Sequence, residues 1–178
     1  MILETERLVL RPWAARDLAP FAALNADPQV RTFFPGVLDR AQSDATIARM
    51  ADRRALDGFG FSAVERRSDG AFLGMCGLCR VRFDAPCAIN GIVEIGWRLA
   101  AAYWGRGYAT EAARGWLAHG FDTLGLDEIV AFAVPQNAAS LAVMARIGMT
   151  PDPARDFDHP ALPAGHRLRR HVLWARRR

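Results

Sequence analysis

Hydrophobic and polar positions follow two different periods along this chain, and residues 92 to 124 show both in succession. Ile92 to Leu99 is an apolar, strand-like run, and Tyr103 to Tyr108 is interrupted by glycines. From Ala109 to Leu124 the apolar residues recur at the spacing of one buried helix face. The pattern predicts a strand, a tight turn and a long amphipathic helix.

The turn between this strand and this helix contains Gly105 and Gly107. The first N–H groups of a helix have no acceptor within it and carry partial positive charge. Because glycine has no side chain to block an approach, a pyrophosphate can reach these amides, with Arg106 and Thr110 as further donors. Two familiar phosphate motifs do not fit: a P-loop needs a lysine, which this chain lacks, and a dinucleotide fingerprint needs a small residue where Thr110 stands.

The same patterns predict the remaining elements. Asp69-Gly70 marks a hairpin turn, Asp39 or Ser43 is the expected cap of the second helix, and residues 83 to 91, with Pro86, form a loop. We predict strands at Glu6–Trp13, Phe59–Arg66, Phe72–Arg82, Asp127–Val134, Thr150–Phe157 and Leu168–Trp174, and helices at Arg16–Asn25, Ser43–Leu56 and Asn137 or Ala138 to Ile147. Helices alternating with strands favour a single α/β (α+β) domain, residues 1–178, with three layers around a mixed sheet.

Composition restricts the class of protein. The chain of 178 residues is 51% hydrophobic and 24% charged, as in ordinary globular domains. Since no apolar run approaches the roughly 18 residues of a membrane span, we expect neither a membrane helix nor a signal peptide. Three cysteines argue against a disulfide framework and favour a cytoplasmic location. Cys76 and Cys79 lie in a strand-like run, so we expect a structural role and no metal.

All 23 basic residues are arginines, and the net charge is +4. Six of them lie near the end of the chain: Arg167, Arg169, Arg170, Arg176, Arg177 and Arg178. They indicate either a solvated terminal strand with a frayed tail, or a cationic patch for coenzyme A phosphates or ribosomal RNA.

The glycine turn also carries a family resemblance. Trp104-Gly105-Arg106-Gly107-Tyr108-Ala109 resembles the pyrophosphate loop [Q/R]xxGx[G/A] of the GCN5-related N-acetyltransferase (GNAT) superfamily, with Trp104 in place of Gln or Arg. Together with Asn137-Ala138-Ala139-Ser140, Ile147-Gly148-Met149 and the opening ETERLVLRPW, it is similar to the branch of the ribosomal-protein N-terminal acetyltransferases RimJ and RimL. The resemblance covers nearly the whole chain.

This resemblance implies a splayed mixed sheet and acetyl-CoA as cosubstrate, with the cofactor in the gap between the fourth and fifth strands. The residues that it assigns to the cofactor are the backbone of Trp97, Arg98 and Leu99, the turn Trp104, Gly105, Arg106, Gly107, Tyr108, Ala109 and Thr110, and also Asn137 and Ser140. The backbone N–H near Leu99 is the expected oxyanion donor.

For proton transfer, Glu94 is the only acid in its apolar run, so it is either the base for the attacking amine or an ion-pair partner of Arg80 or Arg82. Many family members carry a tyrosine where Met144 stands; Ser140, or a water that it orders, is the replacement acid. Asn137 is expected to bind the cofactor, to position the amine or to cap a helix. Glu111 is expected to cap the long helix, and His119 to lie on its exposed side.

The sequence is less specific about the residues that bind the acceptor amine. Phe33 and Phe34 either line the substrate or pack in the core, His159 is a candidate lining residue, and Asp84 and Asp158 are outside candidates for the base. We expect direct acetyl transfer in a ternary complex to a small-molecule amine or a protein N-terminus, including that of a ribosomal protein. A monomer or homodimer without membrane or nucleic-acid partners is expected. The alternatives are a non-catalytic coenzyme A-binding module and an RNA- or ribosome-associated factor.

Overall fold

The computed structural model describes residues 1–85 and 87–178; Pro86, in the loop predicted at residues 83 to 91, lies outside the described residues. Its strands are β1 (Leu3–Glu4), β2 (Leu8–Arg11), β3 (Phe61–Arg66), β4 (Phe72–Arg80), β5 (Val93–Leu99), β6 (Glu128–Ala133), β7 (Thr150–Pro151), β8 (Phe157–Asp158) and β9 (Arg170–Arg177). Its helices are α1 (Leu18–Ala26), α2 (Arg40–Asp57), α3 (Tyr108–Ala118) and α4 (Ala138–Arg146).

These strands form one open, mixed sheet flanked by the helices. The order is β1-β2-β3-β4-β5-β6-β9-β7, with β8 paired to β9. The mixed sheet with flanking helices that the sequence predicts is confirmed. By internal packing the chain divides into two compact units, one of residues 1–79 and 96–116 and the other of residues 80–95 and 117–178.

In the first unit, β1 to β4 form an antiparallel series, with Leu8 opposite Arg66 and Phe61 opposite Gly77. Residues of α1, α2, β4 and the loop after α1 share one apolar cluster: Phe21, Leu24, Val30, Ile47, Met50 and Met75. Burying this cluster attaches both helices to the strands.

In the second unit, the start of β5 pairs in parallel with β6, where Glu94 lies opposite Val130. β6 is antiparallel to β9 along its whole length, from Glu128 opposite Arg177 to Ala133 opposite Val172. The core between these strands and the neighbouring loops consists of Val81, Ile89, Val130, Phe157, Leu173 and Ala175.

Capping explains the ends of α2. The Asp39 carboxylate accepts from the Gln42 backbone N–H, and the Gln42 side chain accepts from the Asp39 N–H. Gly58, with φ of +79°, closes the other end. Of the two predicted caps, Asp39 is therefore correct. The predicted start at Ser43 is wrong, because Ser43 is buried within the helix and its hydroxyl accepts from Asn25.

The first strand and the long helix also differ from their predicted boundaries. The strand expected over Glu6–Trp13 is only β2, because Thr5 forms a turn onto Leu8, and β1 was not predicted. The long helix begins at Tyr108, one residue before the predicted Ala109, and continues after Ala118 as a π-helical turn over His119–Thr123. His119 is consequently half-buried and not on the exposed side, because the regular helical period ends there.

The C-terminal predictions need two corrections. Thr150–Phe157 is not one strand, because Pro153 opens a 3-10 turn between β7 and β8. β9 runs to Arg177 rather than ending at Trp174, and Arg178 N–H still donates to Asp127 O. The prediction of a frayed tail is therefore wrong, because pairing with β6 orders these residues.

Candidate active site

The glycine turn leads directly into the first turn of α3. Gly105 and Gly107 have φ of +72° and +79°, in the left-handed region that favours glycine. The first hydrogen bond of α3 runs from Glu111 N to Gly107 O, 3.0 Å. The amides of residues 107–110 precede that bond and have no acceptor within the helix. Gly105 is exposed, with nothing within 4 Å of the position of a Cβ, so the main chain is open to a ligand.

The side chain of Trp104 connects the turn to the end of β5. Its Nε1–H donates to the main-chain oxygen of Leu99 at 2.8 Å, and the residue remains 45% exposed. Leu99 itself is buried. The carbonyl of Leu99 is therefore engaged within the protein.

Thr5 and Arg7 of the N-terminal segment hydrogen-bond to Glu111 in the first turn of α3, and we call these contacts the clasp. Glu111 accepts from the Thr5 hydroxyl at 2.6 Å, from the Arg7 backbone N–H at 2.8 Å and from Arg7 Nε at 2.6 Å. Arg7 also donates to Arg106 O and lies over the ring of Tyr108. Burial by itself would raise the pKa of Glu111, but the hydrogen bonds from Thr5 and Arg7 lower it overall. Glu111 was expected to cap the long helix, but its carboxylate accepts from Thr5 and Arg7 instead, and the sequence did not indicate these two residues.

The end of β5 is placed by a close approach of β4. A Cβ on Gly74 would lie 2.2 Å from the oxygen of Arg98 and 2.8 Å from the Cα of Leu99. Ala100 N–H donates to Leu73 O at 2.9 Å. Only glycine at position 74 permits this approach, which holds the backbone of residues 97–99 next to the turn segment.

Glu94, the predicted base, is half-buried in β5. It belongs to the second unit, as do Asn137 and Ser140. The Asn137 side chain accepts from Ser140 N–H at 3.2 Å, so it caps α4 and its Nδ2 remains the group that can donate elsewhere. Met144 is buried at 2% exposure. The half-buried hydroxyl of Ser140 lies in the first turn of α4.

His159 lies among aromatic rings in the second unit. Its ring centroid is 4.7 Å from that of Phe83 and 5.3 Å from that of His171. Burial lowers the pKa of both histidines, and their mutual proximity lowers that of His159 further. Both are therefore neutral at pH 7. His171, which the sequence groups with His159 in one polar cluster, lies on β9, paired with Phe157 of β8.

The two aspartates considered as outside candidates have different surroundings. Asp84 is exposed in the loop after β4. Asp158 is in β8 and forms ion pairs with Arg169 at 3.3 Å and with Arg170 at 3.8 Å. These ion pairs explain Asp158 as a structural residue.

The comparisons decide the family. Residues 7–150 match the family model of the acetyltransferase (GNAT) domain. The chain belongs to the GNAT family. It is 35% identical over 150 residues to the uncharacterized protein YkkB of Bacillus subtilis (strain 168), covering 83% of this chain and 84% of YkkB.

Solved structures agree with this assignment. An acetyltransferase from Agrobacterium tumefaciens str. C58 is 29% identical, with a TM-score of 0.81, covering 100% of this chain and 95% of that one. RimL, the ribosomal L7/L12 alpha-N-protein acetyltransferase solved in complex with coenzyme A, shares the fold at a TM-score of 0.77 and 15% identity, covering 99% of this chain and 98% of that one. The resemblance to the GNAT superfamily is thus confirmed, and RimL is among the structural neighbours.

As a GNAT acetyltransferase, the enzyme uses acetyl-CoA. The turn fits the pyrophosphate of this cosubstrate, because residues 105–107 are exposed, Gly105 and Gly107 carry no side chain, and Arg106 lies between them. Among residues 1–85 and 87–178, no group of three His, Cys, Asp or Glu side chains is arranged to hold a metal ion. No helix of the described chain has the length and apolar character of a membrane span.

Phe34 is not a simple core residue. Arg31 and Arg98 both place their guanidinium carbons over its ring, at 4.4 and 4.2 Å from the centroid. Phe33 and Phe34 are both half-buried on the loop after α1. Arg31 was not indicated by the sequence, although an arginine beside an apolar Phe-Phe-Pro run is a usable signal.

The cysteines and the C-terminal arginines have structural contacts. Cys76 is fully buried in β4, and burial raises the pKa of its thiol. Arg177 pairs with Glu128 at 2.9 Å, and Arg176 donates to Ile147 O at 2.6 Å. Arg169 and Arg170 both pair with Asp158 of β8. Four of the six arginines therefore stabilise the second unit, which argues against a free cationic patch.

Proposed function

We propose that this chain, acting as one domain, transfers the acetyl group of acetyl-CoA directly to a primary amine in a ternary complex. The observation that supports this most is the open turn at residues 104–110, attached to the end of β5 by Trp104 and Leu99. Trp97, Arg98 and Leu99 offer main-chain groups to the pantetheine arm, and Arg106, Tyr108, Ala109 and Thr110 complete the pyrophosphate site with the two glycines.

In this proposal, Glu94 takes a proton from the acceptor amine, directly or through one water. The N–H of Leu99 donates to the carbonyl oxygen that gains charge during attack. Ser140, or a water bound to it, returns a proton to the departing sulfur, and Asn137 Nδ2 orients the acceptor or the cosubstrate. Phe33, Phe34, Asp84 and His159 are the proposed acceptor-side residues.

The acceptor is a small-molecule amine or a protein N-terminus. The RimJ/RimL-like opening, turn and α4 motifs support a peptide amine, including a ribosomal-protein N-terminus. The internal pairing of the C-terminal arginines gives no support to an RNA-binding role.

A thiol-release screen with acetyl-CoA, N-terminal peptides and an amine panel tests the proposal. Glu94→Gln should lower kcat by about 100-fold or more, with little change in the Kd for coenzyme A. Glu6→Gln, which removes an exposed carboxylate, is the matched control and should be fully active. Undiminished turnover by Glu94→Gln would contradict the role of this base, and no turnover of any amine would contradict the proposed reaction.

A further inference from the structure

Two arginines converge on one aromatic ring in the first unit without a carboxylate between them. Both guanidinium carbons lie within 4.4 Å of the centroid of Phe34, so the two cations share this ring as a neighbour. Within residues 1–85 and 87–178, Arg31 and Arg98 make no ion pair. The Nε of Arg98 is buried and donates to no acceptor in this part of the chain.

Such an arrangement costs stability. Burial lowers the pKa of Arg98 to about 9, with a smaller contribution from the charge of Arg31, and burial also lowers the pKa of Arg31. Elsewhere the same chain neutralises its buried arginines: Arg11 contacts Asp17 at 2.7 Å. Arg31 is buried and Arg98 is half-buried, and cations held partly out of water without a counter-ion mark a candidate anion-binding site.

Both guanidinium groups are fixed in place before any ligand binds. Arg98 Nη1 donates to Asn25 Oδ1 at 2.7 Å, and Asn25, fully buried, donates in turn to Ser43 at 2.9 Å. Arg31 Nε donates to Gly36 O at 2.6 Å. Because these bonds orient the side chains, an anion would not have to order them on binding.

We propose that Arg31 and Arg98 bind a carboxylate of the acceptor, so that the preferred substrate is a primary amine that also carries a carboxylate. The planar guanidinium fork matches a carboxylate in two parallel hydrogen bonds, and the Phe34 ring supplies one wall. This inference rests on the proposed acetyl transfer. Arg98 directly precedes Leu99, whose N–H is the proposed oxyanion donor.

The first test is a binding measurement that needs no turnover. The Nε–H resonance of Arg98 is followed by NMR while succinate is added to the protein saturated with coenzyme A. The signal should shift in a saturable manner, and Arg31→Gln should weaken succinate binding by about tenfold. Arg49→Gln, which replaces an exposed arginine of α2 bonded to Thr46, is the matched control and should bind succinate as wild type does.

The second test compares kcat/KM for amines and their carboxamides: free amino acids against amino acid amides, and peptides beginning with Asp or Glu against Asn or Gln. The carboxylate forms should be favoured by about tenfold or more, and Arg31→Lys should remove that preference while leaving the amide forms unaffected. A higher kcat/KM for the carboxylate form among free amino acids would identify a free amino acid as the source of the carboxylate, and the same result among peptides would identify an acidic N-terminal residue.

The outcomes separate the two claims. Equal rates for carboxylates and amides, together with an unmoved Arg98 signal, would overturn the carboxylate site and leave the acetyltransferase proposal standing. A saturable shift with no acetylation of any amine would overturn the proposed reaction while the anion site stands.

Discussion

Trp104 donates its indole N–H to the main-chain oxygen of Leu99, 2.8 Å away, and so attaches the glycine turn to the end of β5. Family members with Gln or Arg at this position cannot make the same indole contact. In this chain the Trp104 side chain connects the proposed pyrophosphate site to the residue that carries the proposed oxyanion donor.

Replacing Trp104 by phenylalanine keeps an aromatic ring and removes the donor. We expect the free energy of unfolding to fall by about 1 kcal/mol. The KM for acetyl-CoA should rise about fivefold with a smaller change in kcat, because the turn loses its attachment. Trp13→Phe is the control, since it also removes an indole bond to a carbonyl, Phe61 O at 2.9 Å. Equal KM changes in both variants would contradict the role of Trp104.

Gly105→Ala tests the turn conformation. Alanine at positive φ costs about 1 kcal/mol, and relaxation out of that region would redirect the amides that follow. Calorimetry should show coenzyme A binding weakened by about tenfold. Gly125→Ala carries the same backbone penalty, at φ of +64° with nothing near the added methyl group, and should bind coenzyme A normally. Normal binding by Gly105→Ala would argue against the turn as the anion site.

Gly74→Ala tests the approach of β4 to β5. The added methyl group would overlap Arg98 O, so the end of β5 has to move. We expect a loss of about 3 kcal/mol in the free energy of unfolding and a large loss of turnover in the thiol-release assay. Gly70→Ala, at φ of +70° with nothing within 4 Å of the added carbon, should lose far less of either.

The clasp of Glu111 predicts a pH dependence of stability. Its pKa in the folded protein lies below the ordinary value of 4.5. The carboxylate therefore contributes stability fully above that value, and this contribution is lost as the pH falls through the lowered pKa. In urea unfolding, Glu111→Gln should be less stable than wild type by about 1–2 kcal/mol at pH 7. The difference should shrink below pH 4.5, and a difference independent of pH would exclude this account.

The strand, turn and long helix could be predicted from the sequence because each leaves a local mark. The apolar run ending at Leu99, the two glycines and the helical period are all visible within a short segment. Asn137 as a cap and Asp69-Gly70 as a turn are likewise local signals, and the structure contains both.

The clasp and the arginine pair could not be predicted, because they join residues far apart in the chain. Nothing near Glu111 indicates that Thr5 and Arg7 reach it, and nothing near Arg98 indicates Asn25. The C-terminal strand was underestimated for the same reason: Arg177 is ordered by Glu128 on another strand. The contacts that shape the candidate site are therefore mostly tertiary.

The most direct test of the central claim is an NMR titration with coenzyme A that follows the backbone amide signals of the assigned protein. The account predicts that the amides of residues 105–110 show the largest saturable shifts, and that these shifts are lost in Gly105→Ala. Coenzyme A binding that leaves those amides unmoved, with its largest shifts elsewhere, would contradict the account.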